Sequence, residues 1–427
     1  MYNQDGAVYI AKQNQNSHRH DSVVQDREPM LVIEYRDDQF DAQGYLVIDM
    51  LVNGVAGGGC RMKQGLTRAE VITLAETMTR KFTLIEPHLG GAKCGLDFDP
   101  TRPEKLIVMQ RFFDYIRGFL FNCYVTGADL NTNEHEIIAC TKAIGLPCPQ
   151  YALAKSLGNE AHRIKRFYQG ISLSVNGRVN MVMNDAATGF GICAAVRRAV
   201  SPQPLTECSM AIQGFGNVGG SVAKFLFDSG AKIEAVGDRF GTIHCPQGLD
   251  IDFLLARRDE RTKAVFPALL HDRQCPPGCE LIADTEAIYD FGDDVFIPVA
   301  DSGIISELNF RRIHARHIVC GANAPFATMD IEERLFRLGK VVVPDFIANA
   351  GTAALYSSLM REEGTVSVAS LRQSIEDQIG RATEEALVKS AREKVSPRTA
   401  AEMIAAEKIN AYPSQYLTTI SKRWHSG

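Results

Sequence analysis

Two lysines twelve residues apart, Lys81 and Lys93, and a more distant carboxylate, Asp129, are the side chains best suited to do chemistry in this 427-residue chain. A fixed ammonium in a water-excluding site pairs with a substrate carboxylate. A lysine becomes a base near neutral pH when desolvation or a neighbouring cation lowers its proton affinity. A carboxylate beside them can exchange protons with an amine. Each side chain also has an ordinary reading, as a solvated lysine or a loop-capping aspartate. Lys81, on an apolar helix edge, either meets an anion or lays its stem along the core with its head in water.

The elements that must position these groups follow from local pattern. Thr67-Arg68-Ala69-Glu70 has the spacing of a capping box, and Val71, Leu74, Ala75, Met78, Phe82 and Ile85 then recur at helical intervals. Winding at about 100° per residue places Lys81 near Leu74, Met78 and Ile85. Lys93 follows Gly90-Gly91-Ala92 and is read as lying in a glycine loop. Upstream, Met30–Tyr35 and Gly44–Met50 read as a hairpin, followed by glycine-rich Gly57-Gly58-Gly59-Cys60-Arg61. Asp129 ends a β-prone run from Tyr124, beyond an aromatic-rich helix around Leu106–Phe119. Residues 145–183 are weakly patterned and read as a connection.

From Val182 to about Asn349 strands and helices alternate as βαβ units. There Ser209–Gln213 reads as a strand, Gly214-Phe215-Gly216-Asn217-Val218-Gly219 follows, a helix closes at Gly230, and a second strand ends at Asp238. Gly214 permits the tight turn, Gly216 and the helix start at Asn217 and Val218 admit a pyrophosphate, and Gly219 lets helix and strand pack closely. This is a dinucleotide signature. Asp238 favours NAD, because a 2'-phosphate would meet its charge; Arg239 next to it offsets that repulsion and leaves NADP open. A charged, amphipathic helical tail runs from Ala369 to Lys408.

Composition narrows the class. At 427 residues two domains are the default, and 45% hydrophobic with 23% charged residues is ordinary for a globular protein. A net charge of −5 offers no basic field for nucleic acid or anionic lipid. Eleven scattered cysteines suit reduced thiols in the cytoplasm better than a disulfide framework. Cys275 and Cys279 lack a second ligand pair at metal spacing, so no metal is expected. The polar first 29 residues, without an apolar core of signal-peptide length, read as a flexible arm, and no apolar run is long enough to span a membrane.

Taken in order, Lys81 and Lys93, the Gly-Gly-Ala-Lys segment, Gly127-Ala128-Asp129, Ala187-Thr188-Gly189-Phe190-Gly191, the glycine turn and Pro344–Gly351 resemble the glutamate/leucine/phenylalanine/valine dehydrogenases. The resemblance runs from about residue 30 to 360. It implies an α/β protein of two domains separated by a cleft: a substrate and oligomerisation domain over 30–183 and a Rossmann-type NAD(P)-binding domain over 184–350. Helices over 351–427 would pack back on the first domain. The implied reaction is reversible oxidative deamination of an L-amino acid to the 2-keto acid and ammonia, in a homo-oligomer. Lys81 would hold the α-carboxylate, Lys93 would activate the water that attacks the imine, and Asp129 would exchange protons with the amine nitrogen. Thr188, Asn323 and Asn349 would contact the nicotinamide half of the cofactor.

Departures from the family bear on substrate choice. Glutamate-specific members carry a lysine where Gly57 stands and a serine where Tyr356 stands, both on the side-chain carboxylate. Without them a buried γ-carboxylate is poorly compensated, although Arg61 or Lys63 is near enough in sequence to reach the pocket. Leucine-type members carry larger residues at Gly57, Gly127 and Ala353. The smaller residues here imply a deeper pocket with Tyr356 as a wall, and so a bulky apolar or aromatic amino acid, unless neighbouring side chains refill the space. Three alternatives remain: glutamate dehydrogenase, a catalytically idle dinucleotide-binding regulatory oligomer, and a hydroxy-acid dehydrogenase. The last lacks a histidine beyond His88, which reads as packing beside Pro87.

Overall fold

A computed structural model describes residues 28–85, 89–175, 181–259, 261–272, 275 and 278–412. Most of the N-terminal arm, and His88, lie outside them. The described residues form two compact units: those up to Tyr168 together with those from Glu402 to Tyr412, and those within Gln169–Ala401.

The first unit begins with β1 (Leu31–Asp37), β2 (Ala42–Ile48), β3 (Ala56–Gly57) and β4 (Cys60–Met62). Helix α1 (Arg68–Ile85) leads to β5 (Gly90–Asp97), then α2 (Lys105–Tyr115), α3 (Arg117–Asn122), β6 (Tyr124–Val125) and α4 (Glu134–Ala143). The sheet order is β1-β2-β5-β3-β6, with β4 pairing β5. Alternation along β2 sends Leu46 and Ile48 to one apolar cluster with Phe112, Phe113 and Leu120, and Tyr45 and Val47 to another with Val71 and Ala75 of α1. Helices therefore cover both faces of the sheet.

Two expectations change here. Lys93 lies within strand β5, not in a loop. The glycines before it serve close packing: a Cβ at Gly91 would collide with Thr79, so glycine there lets α1 lie against the strand. The stretch 145–183 also holds α5 (Tyr151–Leu157) and α6 (Glu160–Ile171). The buried face of α6 is Arg166, Phe167, Gly170 and Ile171, half of it not apolar, which hides its period from the sequence.

The second unit opens with β7 (Ser174–Val175), β8 (Met181–Val182) and α7 (Met183–Val200). Next come β9 (Ser209–Gln213), α8 (Asn217–Asp228), β10 (Lys232–Asp238), β11 (Gly241–His244), α9 (Ile251–Ala256), α10 (Phe266–Asp272) and β12 (Glu280–Ile282). The second half holds β13 (Val295–Pro298), β14 (His317–Val319), α11 (Met329–Arg337), β15 (Val341–Val343), α12 (Asp345–Ala348) and α13 (Gly351–Arg361). The sheet runs β12-β11-β10-β9-β13-β14-β15, parallel from β10 to β15 with β11 and β12 as antiparallel edge strands. Strand order reverses between β9 and β13, the position at which doubly wound sheets bind ligands.

The tail is two helices, α14 (Val368–Glu393) and α15 (Pro397–Asn410), separated where Lys394 turns left-handed at φ 57° and Pro397 starts anew. Contrary to the expectation for residues 351–427, α13 and α14 belong to the second unit. Helix α14 packs its Leu371, Ile375, Ile379 and Ala382 side toward α7 and α13, and Arg197 of α7 donates to Glu376 at 3.0 Å. Only from Glu402 does the chain group with the first unit.

Candidate active site

Alternation places the chemistry of the first unit. Ala92, Cys94 and Leu96 of β5 and Cys60 and Met62 of β4 enter one core cluster, so Lys93 and Arg61 face the opposite side, the side that α1 covers. The loop after β6 is docked on β4 by main-chain bonds, Cys60 N–H to Gly127 O at 2.9 Å and Met62 N–H to Leu130 O at 3.0 Å. Thr132 adds a hydroxyl bond to Cys60 O at 2.7 Å, and Asn131 donates to Met62 O at 3.0 Å from a left-handed φ of 59°. This docking carries Asp129 to the two cations.

Lys93 Nζ is 3.0 Å from Asp129 Oδ2, and Arg61 Nε donates to the same oxygen at 2.8 Å. Arg61 Nη1 reaches Glu70 Oε1 at 3.1 Å, and Lys63 holds the other Glu70 oxygen at 3.0 Å. Lys93 and Arg61 are buried. Burial pushes the Asp129 carboxyl up, but Lys93 and then Arg61 outweigh it and hold it well below the usual carboxylate range. For Arg61 burial works against the charge, and Asp129 and Glu70 more than restore it. The expected capping box is half formed: Thr67 caps the Glu70 N–H at 3.2 Å, while the Glu70 carboxylate turns to Arg61 and Lys63. Arg61 and Lys63 are thus engaged by acids rather than presented as independent cations. The signal for Arg61 was a charged residue in a short strand between core residues.

Lys81 lies part-buried on α1. The room expected at Gly57 is absent. A Cβ there would meet Leu89 Cδ2 and Val125 Cγ2 at 3.0 Å and Phe82 Cζ at 3.1 Å, so apolar neighbours have refilled the space. Gly127 contributes its main-chain carbonyl, which accepts the Cys60 N–H at 2.9 Å.

In the second unit the glycine turn joins β9 to α8 at the switch point. Gly214 has φ 105° and a Cβ there would meet the Ala300 backbone after β13, while a Cβ at Gly219 would strike the Gly214 carbonyl. A Cβ at Gly216 meets nothing within 4 Å. That open cradle at a helix start, beside the Asn217 and Val218 N–H groups, fits a pyrophosphate. Arg258, not anticipated from the sequence, donates to Gly216 O at 2.8 Å and Phe215 O at 3.3 Å. Asp238, at the end of β10, accepts N–H groups from Phe240, Val265 and Phe266, each at 2.8 Å. Its negative charge is therefore fixed in place; Arg239 is exposed and donates to Thr262 O at 3.3 Å.

Thr188 lies in the second turn of α7, with its hydroxyl 3.0 Å from that of Thr352. A Cβ at Gly351 would strike the Ala187 carbonyl, so glycine brings α13 and α7 together there. Ala353 is part-buried on α13, and Tyr356 donates its hydroxyl proton to Asn184 Oδ1 at 2.9 Å. Asn349 Nδ2 donates to Asn323 Oδ1 at 2.7 Å, pairing the two asparagines. Among the described residues no group of histidine, cysteine and acidic side chains could hold a metal, and no helix is long and apolar enough to cross a membrane.

Residues 181–415 match the model of glutamate/leucine/phenylalanine/valine dehydrogenases, and residues 30–144 match the Glu/Leu/Phe/Val dehydrogenase dimerisation domain. The chain belongs to the Glu/Leu/Phe/Val dehydrogenase family. The dehydrogenase is 29% identical over 377 residues to a glutamate dehydrogenase of Thermotoga maritima, covering 86% of this chain and 84% of that one. It is 28% identical over 315 residues to an NAD-specific glutamate dehydrogenase of Staphylococcus aureus, covering 73% and 70%. Its fold matches the hetero-hexameric glutamate dehydrogenase from Thermus thermophilus with TM-score 0.69 at 22% identity, over 90% of this chain and 91% of that. A Plasmodium falciparum glutamate dehydrogenase gives TM-score 0.71 at 18% identity, over 91% and 84%. As a family member the dehydrogenase is an oxidoreductase acting on CH–NH2 groups, using a nicotinamide dinucleotide to deaminate an amino acid. The hydroxy-acid reading falls with that membership.

Proposed function

We propose that the enzyme deaminates an L-amino acid with an apolar side chain, with NAD as oxidant, and that Lys93, Asp129 and Lys81 carry the chemistry. Lys81 takes the α-carboxylate. Asp129 accepts a proton from the substrate amine nitrogen, and Lys93 withdraws a proton from the water that adds to the imine carbon. When bound, the nicotinamide accepts the hydride from the substrate Cα. Arg61 keeps the Asp129 carboxylate ionised and aimed at Lys93. Thr188, Asn323 and Asn349 orient the nicotinamide half, and the turn from Gly214 to Gly219 takes the pyrophosphate.

The apolar preference rests on one observation. Gly57, where a lysine would serve a γ-carboxylate, is enclosed by Leu89, Val125 and Phe82, and the nearby cations Arg61 and Lys63 are bound to Glu70. Tyr356 supports it, since the proton of its hydroxyl goes to Asn184. The names of the relatives favour a second reading, glutamate. Comparing kcat/KM for L-leucine, L-phenylalanine, L-tryptophan and L-glutamate, with NAD and NADP each, tests both: a clear lead for glutamate ends the apolar reading.

NAD is preferred over NADP on the fixed charge of Asp238. We also propose a homo-oligomer, for which β1 supplies an edge strand that, among the described residues, pairs only with β2. The eleven cysteines, all free, support a reducing compartment such as the cytoplasm.

A further inference from the structure

Arg398, on α15, sits in a buried ionic cluster far in sequence from every residue assigned a role above. Its Nε donates to Glu332 Oε2 of α11 at 2.6 Å and its Nη2 to Asp345 Oδ1 of α12 at 2.6 Å, with side-chain exposures of 14% for Arg398, 3% for Glu332 and 9% for Asp345. The guanidinium also lies 5.1 Å from the Phe346 ring centre. A cation and two acids taken out of water together are a costly way to hold three helices in place. Apolar side chains of similar volume would do so as well or better.

What an apolar cluster would not supply is an aimed oxygen. The second Asp345 oxygen, Oδ2, accepts the Ala324 N–H at 2.8 Å. Ala324 has φ 44°, a left-handed conformation that a residue with a Cβ rarely holds without a tether. Asn323 precedes it, and Asn349 lies one turn beyond Asp345, its N–H bonded to Asp345 O at 3.0 Å. Asp345 therefore holds Asn349 directly through its main-chain carbonyl and reaches Asn323 through the neighbouring Ala324, bonded to its carboxylate.

We propose that Arg398 is a positioning residue for the nicotinamide half of the cofactor: by locking the Asp345 carboxylate it fixes the strained Ala324 turn and with it the Asn323–Asn349 pair. This rests on the reading that those asparagines meet the nicotinamide. Nothing in the motif that suggested Asn323 and Asn349 contains Arg398. It enters only because the tertiary fold brings α15 over α11 and α12.

The test compares binding of NADH with that of ADP-ribose, which keeps the adenosine and pyrophosphate and lacks the nicotinamide. In Arg398→Lys, NADH affinity is expected to fall about tenfold while ADP-ribose changes less than about twofold. Asp345→Asn, which presents an amide in the same volume, is expected to do the same and serves if the Arg398 variant does not fold. Asn323→Ala and Asn349→Ala are run beside them. If both asparagine variants leave the NADH-to-ADP-ribose ratio unchanged, the underlying reading fails. If they change the ratio but Arg398→Lys and Asp345→Asn do not, or weaken both ligands equally, the cluster is only structural and the inference is overturned.

Discussion

Lys93 and Arg61 meet on a single oxygen of Asp129, at 3.0 and 2.8 Å. An ammonium and a guanidinium so placed hold the carboxylate ionised, and they are supplied by adjacent strands whose alternation points both side chains to one face. Loss of a proton from Lys93 removes one of the two charges that suppress proton uptake by Asp129. Proton transfers at the two groups are therefore linked.

Lys93→Ala should lower kcat by about 10²–10⁴-fold, the usual contribution of a positioned proton-transfer group. Arg61 still pairs with Asp129 in that variant, so the far-UV spectrum should change little, while loss of a buried cation lowers the unfolding midpoint as it does at Arg61. NADH production by a correctly folded variant at near wild-type rate would remove Lys93 from the chemistry.

Arg61→Met leaves Glu70 with Lys63 and Asp129 with Lys93 alone. Removing one partner from a buried ion pair costs roughly 3 kcal/mol or more. Urea unfolding should register that loss, and a midpoint unchanged from wild type would show that Asp129 is compensated elsewhere.

Asp129 also predicts a pH signature. Burial raises its proton affinity, but Lys93 and Arg61 depress it by more, so the carboxyl is more acidic folded than unfolded. A group of that sign stabilises the fold in full above its unfolded value of about 3.9 and loses the contribution as pH falls through the folded value. Wild type should be more stable than Asp129→Asn near neutrality, with the gap closing below about pH 4. A gap that stays constant from neutral to acid pH contradicts the assignment.

Gly216 and Gly219 should respond oppositely. Gly216 has φ −71° and open space beside its Cα, so Gly216→Ala should fold normally and bind NADH weakly. A Cβ at Gly219 strikes the Gly214 carbonyl, so Gly219→Ala should lower the unfolding temperature itself. Equal NADH affinity for Gly216→Ala and wild type would show that the dinucleotide does not lie over this turn.

Tyr356→Phe removes the bond to Asn184 while keeping the ring. If the ring is an apolar wall, kcat/KM for an apolar substrate should change by less than about tenfold, while Tyr356→Ser should reduce it further. Wild-type turnover of L-glutamate ahead of the apolar substrate, lowered rather than raised in Tyr356→Phe, would point to the second reading.

The sequence by itself determined the local devices. The βαβ alternation, the Gly214–Gly219 turn, the α1 helix and the hairpin of β1 and β2 each rest on periodicity or turn chemistry within a few residues, and all are present. Lys93 and Asp129 were legible as a pair by order and residue type. Tertiary structure decided what depends on which distant surfaces meet. It turned the glycines before Lys93 into a packing contact under Thr79, filled the space at Gly57 with Leu89, Val125 and Phe82, and diverted Glu70 from its capping role to Arg61. It also assigned α14 to α7 and set Arg398 beside Asp345. Helix and turn signals are short-range, whereas the partner of a buried charge and the neighbour of a missing side chain are fixed only when strands and helices far apart in the chain close on one another.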